Sequence, residues 1–231
     1  MKNIVLFGRG ERATVVNDAL LLAGHGIVWW YSFPERVYKW GTMLKELDVE
    51  FSLGIVANWP LRLDAEVLSV PKHGWVNCHG GPVPNYRGGS PLNWQIINGE
   101  EILRVSLLQM DEGLDTGPIL SEQAFGLEKY ETIDDAHRRA NSAFAEMVVA
   151  HVDLLENYPE TIKPTPQDFY DSSIRTPKTW PQRNDDMGEI DLSWSAEKVV
   201  NFVRALTHPY PGAWLKGGDG ERVRVWNASL R

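Results

Sequence analysis

The sequence predicts an α/β fold: a mostly parallel sheet flanked by helices, followed by a small C-terminal α+β tail. Three observations predict it. Short apolar runs alternate with stretches whose apolar residues recur at helical spacing through the N-terminal part of the chain. The first apolar run ends in a glycine, Gly8, and the helical pattern starts at once after it. Beyond Tyr158 the texture changes to proline-rich sequence, and two strand-like runs joined by glycines come last.

The elements follow in order. Ile4-Val-Leu-Phe7 reads as a buried strand. Glu11 to Ala23 carries apolar residues at Val15, Val16, Ala19, Leu20, Leu22 and Ala23, and Gly24 sits where a helix end favours glycine. Ile27–Tyr31 reads as a strand, Val37–Leu47 as a helix and Phe51–Ala57 as a third strand. Trp75–Asn77 reads as a strand end, Pro91–Ile97 as a short helix opened by proline, and Leu103–Met110 and Ile119–Ala124 as further strands. Thr132 and Asp135 have capping-box spacing. Behind them Ile133, Ala136, Ala140, Phe144, Met147, His151 and Leu154 make one helical face.

Residues 1–158 therefore form the expected catalytic domain. Residues 159–181, with prolines at 159, 164, 166, 177 and 181, form an extended connector. Residues 182–231 form a small C-terminal subdomain: a helix over Ala196–Leu206, then Ala213–Leu215 and Arg222–Trp226 joined by the hairpin signal Gly217-Gly-Asp-Gly220.

Composition sets limits on function. The chain has 231 residues, 43% of them hydrophobic, which suits a packed core. Its net charge of −8 is poorly suited to gripping a long phosphate backbone, which takes many Lys and Arg contacts. One cysteine, Cys78, allows neither an intrachain disulfide nor a cysteine-based zinc site, and the histidines lack metal-ligand spacing. The first apolar run is too short for a secretory leader and no apolar stretch is long enough to span a bilayer, so a cytoplasmic protein is expected. The ten tryptophans are read mostly as core.

Three motifs carry chemistry. Gly8-Arg-Gly10-Glu-Arg-Ala13 has the glycine pattern of a dinucleotide-binding turn in a Rossmann-like sheet. The acid expected at the end of the second strand is missing there, since the first one is Glu35, beyond a proline. A tight turn without nucleotide is the preferred reading, with a non-catalytic dinucleotide-binding module as the alternative. Asn77 and His79 are alternate residues of an extended segment and so face one side. An amide can hold a developing oxyanion, and an imidazole can shuttle a proton. Met110-Asp-Glu-Gly-Leu-Asp115-Thr-Gly is an acidic turn between two strands, and a carboxylate beside a histidine orients it and stabilises its cation.

The Asn77-x-His79 pair, the Gly113-Leu-Asp115-Thr-Gly117 turn and the intervening Tyr86-Arg-Gly and Pro91-Leu-Asn-Trp94 together resemble the 10-formyltetrahydrofolate-dependent formyltransferases. The resemblance extends to Arg204-Ala-Leu-Thr-His-Pro-Tyr-Pro-Gly-Ala-Trp214. It implies a catalytic trio of Asn77, His79 and Asp115. It also implies 10-formyltetrahydrofolate as co-substrate, in a slot between Asn58, Trp59, Pro60 and Leu61 and the turn of Met110, Asp111, Glu112 and Leu114. Gly81, where relatives often have serine, is a small departure.

The run Tyr86 to Glu100 resembles the branch that formylates nucleotide-linked amino sugars, as does Asn184 to Asp191. That branch implies a small-molecule acceptor, met by Tyr86, Arg87 and Ser90, for surface polysaccharide biosynthesis, and a homodimer. The alternatives are methionyl-tRNA and glycinamide ribotide. The tRNA branch carries a longer C-terminal domain, and the glycinamide-ribotide branch has His-Pro where this chain has His79-Gly80.

Overall fold

The computed structural model describes residues 1, 3–31, 40–170 and 175–230. In chain order the elements are β1 (Ile4–Gly8), α1 (Gly10–Leu22), β2 (Ile27–Tyr31), α2 (Trp40–Glu46), β3 (Leu53–Ala57), α3 (Ala65–Leu68), β4 (Trp75–His79) and β5 (Arg87–Gly88). Then come α4 (Pro91–Ile97), β6 (Ile102–Gln109), β7 (Ile119–Gly126), α5 (Ile133–Asn157), β8 (Thr179–Trp180), α6 (Ala196–Leu206), β9 (Ala213–Lys216) and β10 (Arg222–Val225). Residues 37–39 of the second expected helix, and Glu35, lie outside the described residues.

Six strands form one sheet in the order β2-β1-β3-β4-β6-β7. The pairs β1–β2, β1–β3 and β3–β4 are parallel, and β4–β6 and β6–β7 are antiparallel. This is the mostly parallel, Rossmann-like sheet expected from the alternation of runs. β1 and β3 are buried at every position, as central strands covered on both faces must be. Open sheets of this kind bind ligands beyond the carboxyl ends of their strands, where the strand order reverses. Here that place lies beyond Gly8 on β1, Ala57 on β3 and His79 on β4.

Close packing sets the turn after β1. A Cβ on Gly8 would lie 2.4 Å from the Ala57 carbonyl oxygen and 2.8 Å from the Ala13 Cβ, so only glycine fits.

Helix α5 starts at the expected capping box: Thr132 N–H donates to Asp135 Oδ2 at 2.8 Å, and Thr132 is the N-cap. Its apolar face packs into the main core through Ile133, Ala136, Ala140, Phe144 and Met147. Leu154 departs from the expected face and is 41% exposed. The stripe drifts at 3.6 residues per turn, so Leu155, four residues after His151, continues it instead.

The described residues of the stretch 159–181 are tied down at several points. Thr165 bridges to Ile119, β8 pairs in parallel with β5, and Arg175 forms an ion pair with Glu122 at 2.8 Å. In the 182–231 stretch β9 and β10 pair antiparallel with each other, as the hairpin signal suggested, and Trp214 of β9 also bridges in parallel to Glu189. Helix α6, by contrast, contributes Phe202, Val203, Ala205 and Leu206 to the core shared with α4 and α5. No helix among the described residues is long and apolar enough to cross a membrane.

Candidate active site

Asn77 and His79 sit on β4, whose alternate residues Val76 and Cys78 enter the main core. Strand alternation thus sends the amide and the imidazole to the opposite side. β4 meets β3 through Val56–Asn77 and β6 through Asn77–Leu108 and His79–Ser106, so both residues are held on rigid backbone. Asp115 arrives from the turn between β6 and β7 and adopts a left-handed backbone with φ +53°.

The three side chains meet. Asn77 Nδ2 donates to Asp115 Oδ1 at 3.2 Å. His79 Nδ1 lies 3.5 Å from Asp115 Oδ2. The Gly88 N–H donates to the same Oδ2 at 2.8 Å. On its other side, His79 Nε2 lies 2.6 Å from the Tyr86 carbonyl oxygen. A carbonyl can only accept, so Nε2 carries the proton and Nδ1 of the neutral ring has a free lone pair. His79 is buried and Asp115 nearly so, which strengthens any charge interaction between them.

The trio lines an open cleft of about 890 Å³, a size suited to a small-molecule ligand. A narrower side pocket of about 140 Å³ shares Trp59, Pro60, Asn77, Leu114 and Asp115 with it. Of the residues expected to hold a folate, Trp59, Pro60, Leu61, Met110, Asp111 and Leu114 line this side pocket. Asn58 lines the main cleft and donates Nδ2–H to the Arg9 carbonyl at 3.1 Å. Asp111 also knits its own turn, accepting from the Gly113 N–H at 2.9 Å and from Thr116 Oγ1 at 2.7 Å. Glu112 lines neither cavity; its carbonyl accepts a hydrogen bond from Arg62.

Two of the residues expected to meet the acceptor have partners within the chain. Tyr86 is 6% exposed, stacks on Trp180 and donates its hydroxyl to Glu100 at 2.8 Å. Arg87 donates Nε–H and Nη2–H to Gln167 Oε1 at 2.8 and 2.6 Å. Neither lines the cleft. The short β5–β8 ladder pairs Arg87 with Thr179 and Gly88 with Trp180. Ser90 does line the cleft, and its hydroxyl accepts from the Arg183 N–H at 3.0 Å and from Gln182 Nε2 at 2.8 Å.

The structure adds cleft residues that spacing did not flag. Arg12, in the first turn of α1, donates Nε–H to Asn141 at 3.2 Å and lies over the Phe144 ring. Burial lowers its pKa, and among the described residues no carboxylate is within ion-pair distance of it. His137 bonds the Tyr210 hydroxyl at 3.0 Å. Burial, aided by the Arg12 charge, pushes the His137 pKa down to about 4, so the ring is neutral. Arg12 lies inside the glycine motif, and that was its only available signal. Burial pushes the Cys78 thiol up to about 12, which makes it inert. Among the described residues no group of three or more His, Cys, Asp or Glu side chains could hold a metal.

A family model described as formyl transferase matches residues 34–152, and its companion, the formyl transferase C-terminal domain, matches residues 183–231. The chain belongs to the formyl transferase family. This formyl transferase is 35% identical over 182 residues to the methionyl-tRNA formyltransferase of Thermodesulfovibrio yellowstonii, a match covering 79% of this chain and 55% of that one. The chain thus spans little more than half of that curated relative. Among solved structures, a sugar N-formyltransferase from Shewanella sp. superposes with a TM-score of 0.75 at 16% identity, covering 99% of this chain and 98% of the other. HypX from Aquifex aeolicus in complex with tetrahydrofolic acid superposes with a TM-score of 0.73 at 23% identity, covering 96% and 37%. These two likenesses show a shared fold.

Proposed function

We propose that this formyl transferase moves a formyl group from 10-formyltetrahydrofolate to the amine of a nucleotide-linked amino sugar. The observation that carries the transfer is the convergence of Asn77, His79 and Asp115 where the cleft and the side pocket join. The side pocket, walled by Trp59, Leu61 and Met110 and closed by the turn 111–117, suits a flat, polar-edged ring.

The chemistry follows from the side chains. The amine nitrogen attacks the formyl carbon, the new C–N bond forms, and the bond from that carbon to N10 of the folate breaks. Asn77 has two amide protons and commits one to Asp115, leaving the other for the formyl oxygen as charge builds there. His79 Nδ1 takes the proton from the amine, and that proton ends on N10. Asp115 lies beside Nδ1 and stabilises the ring while it is charged.

The acceptor assignment rests on the net charge of −8 and on a cleft sized for a small molecule. The fold shared with a sugar N-formyltransferase agrees with it. The second reading is formylation of methionyl-tRNA, favoured by the 35% identical relative. A panel of dTDP-, UDP- and GDP-linked amino sugars, run beside methionyl-tRNA and glycinamide ribotide with 10-formyltetrahydrofolate, separates them. Mass gain of one formyl group on a nucleotide sugar supports the proposal, and formylation confined to the tRNA replaces it with the second reading.

A further inference from the structure

Asp115 is held at both ends, and only one end is explained by the trio. Its carboxylate accepts from Asn77 and from the Gly88 N–H. Its backbone carbonyl accepts from Gln167 Nε2 at 2.8 Å, and the same amide reaches the Gly117 carbonyl at 2.7 Å. Gln167 lies in the proline-rich stretch, 52 residues further along the chain, and is 7% exposed. Its Oε1 accepts from Nε–H and Nη2–H of Arg87, the residue next to Gly88. Both amide protons and the carbonyl oxygen of Gln167 are therefore committed.

These bonds close a ring. Gln167 holds the Asp115 backbone, Gly88 holds the Asp115 carboxylate, and Arg87 ties Gln167 back to the strand carrying Gly88. Asp115 needs such support, because a left-handed backbone at a residue other than glycine is strained and persists only where its surroundings impose it. We propose that Gln167, with Arg87, is the positioning residue that fixes Asp115 against His79 and Asn77. This rests on the formyl-transfer reading above. Gln167 lines neither the cleft nor the side pocket, so it acts through the backbone it holds, at Asp115 and at Gly117. A carboxylate displaced by as little as about 1 Å costs up to roughly a hundred-fold in rate.

The test is a cycle of Gln167→Leu and Asp115→Asn. Gln167→Leu should lower kcat by roughly ten- to a hundred-fold while the KM of donor and acceptor change by less than about two-fold. In the Asp115→Asn background the same change should cost less than about two-fold, since the group it positions is already lost. Gln167→Glu keeps the acceptor for Arg87 and loses the two donors; it should reproduce the loss and serves if the leucine variant does not fold. A kcat within about two-fold of native, or an equal loss in the Asp115→Asn background, overturns the proposal. Amide exchange at Gly88 gives a readout free of activity: it should speed up in either Gln167 variant, while β4 amides are unchanged. Faster exchange in a chain that transfers no formyl group would sink the functional reading and leave the positioning role standing; unchanged exchange would sink the positioning role.

Discussion

The Nε2–H of His79 donates to the Tyr86 carbonyl at 2.6 Å. That bond commits the proton of the neutral ring to the side away from Asp115, so the basic nitrogen, Nδ1, is the one 3.5 Å from the carboxylate. The attacking amine must be proton-free. Turnover should therefore fall as pH drops and the amine takes up a proton, and His79→Gln should lower kcat by about 10²–10⁴-fold. A pH–rate profile of the native chain beside kcat of the variant measures both. A rate that rises toward acid would contradict attack by a neutral amine.

Asn77 is the only trio member that offers a donor to the formyl oxygen. Asn77→Ala should cost about 10²–10³-fold in kcat, the size seen when one oxyanion donor is removed. Affinity for a folate analogue, followed by calorimetry, should hold, because Trp59, Leu61 and Met110 still wall the pocket. Lost binding with kcat retained would place Asn77 in ligand recognition.

Two histidines, His137 and His151, make stability depend on pH. Burial pushes both His137 and His151 from the ordinary 6.5 down to about 4. In the unfolded chain they take up protons near 6.5, and in the folded chain only near 4. The unfolded state binds more protons between these values, so stability is full above pH 6.5 and is lost as pH falls toward 4. Each ring contributes on the order of 3 kcal/mol over that window. Urea unfolding at neutral pH and near pH 4.5 measures the loss, and His151→Leu should make the dependence shallower. Equal stability at both pH values would show that these rings are protonated without cost.

The turn after β1 is set by contact. Gly8→Ala places a methyl group against the Ala57 carbonyl and Ala13, where backbone must move. It should destabilise the fold by about 1–3 kcal/mol, read as a lower Tm. An unchanged Tm would mean that the turn relaxes freely.

Legibility in the sequence followed the range of the forces involved. Helices α4 and α6 and strands β1 and β2 were readable because local signals govern them: apolar periodicity, a proline at the start, a glycine at the end. The trio was readable as residue types in order, through resemblance, and Asn77 and His79 also through strand alternation. The inward partners of Arg87 and Tyr86, which are Gln167, Glu100 and Trp180, were not readable because they are separated from them in sequence. Gln167 itself had no local signal: one glutamine among prolines looks like any solvated connector residue. Such pairings are decided by tertiary packing, which no window of sequence contains.

The most direct measurement follows an isotope. 10-Formyltetrahydrofolate labelled with ¹³C in the formyl group is mixed with the acceptor panel and the native chain, then with His79→Gln and Asn77→Ala. The account predicts label on the acceptor amine with the native chain, and transfer slowed at least about a hundred-fold in both variants. Label transferred equally fast by all three chains would contradict it.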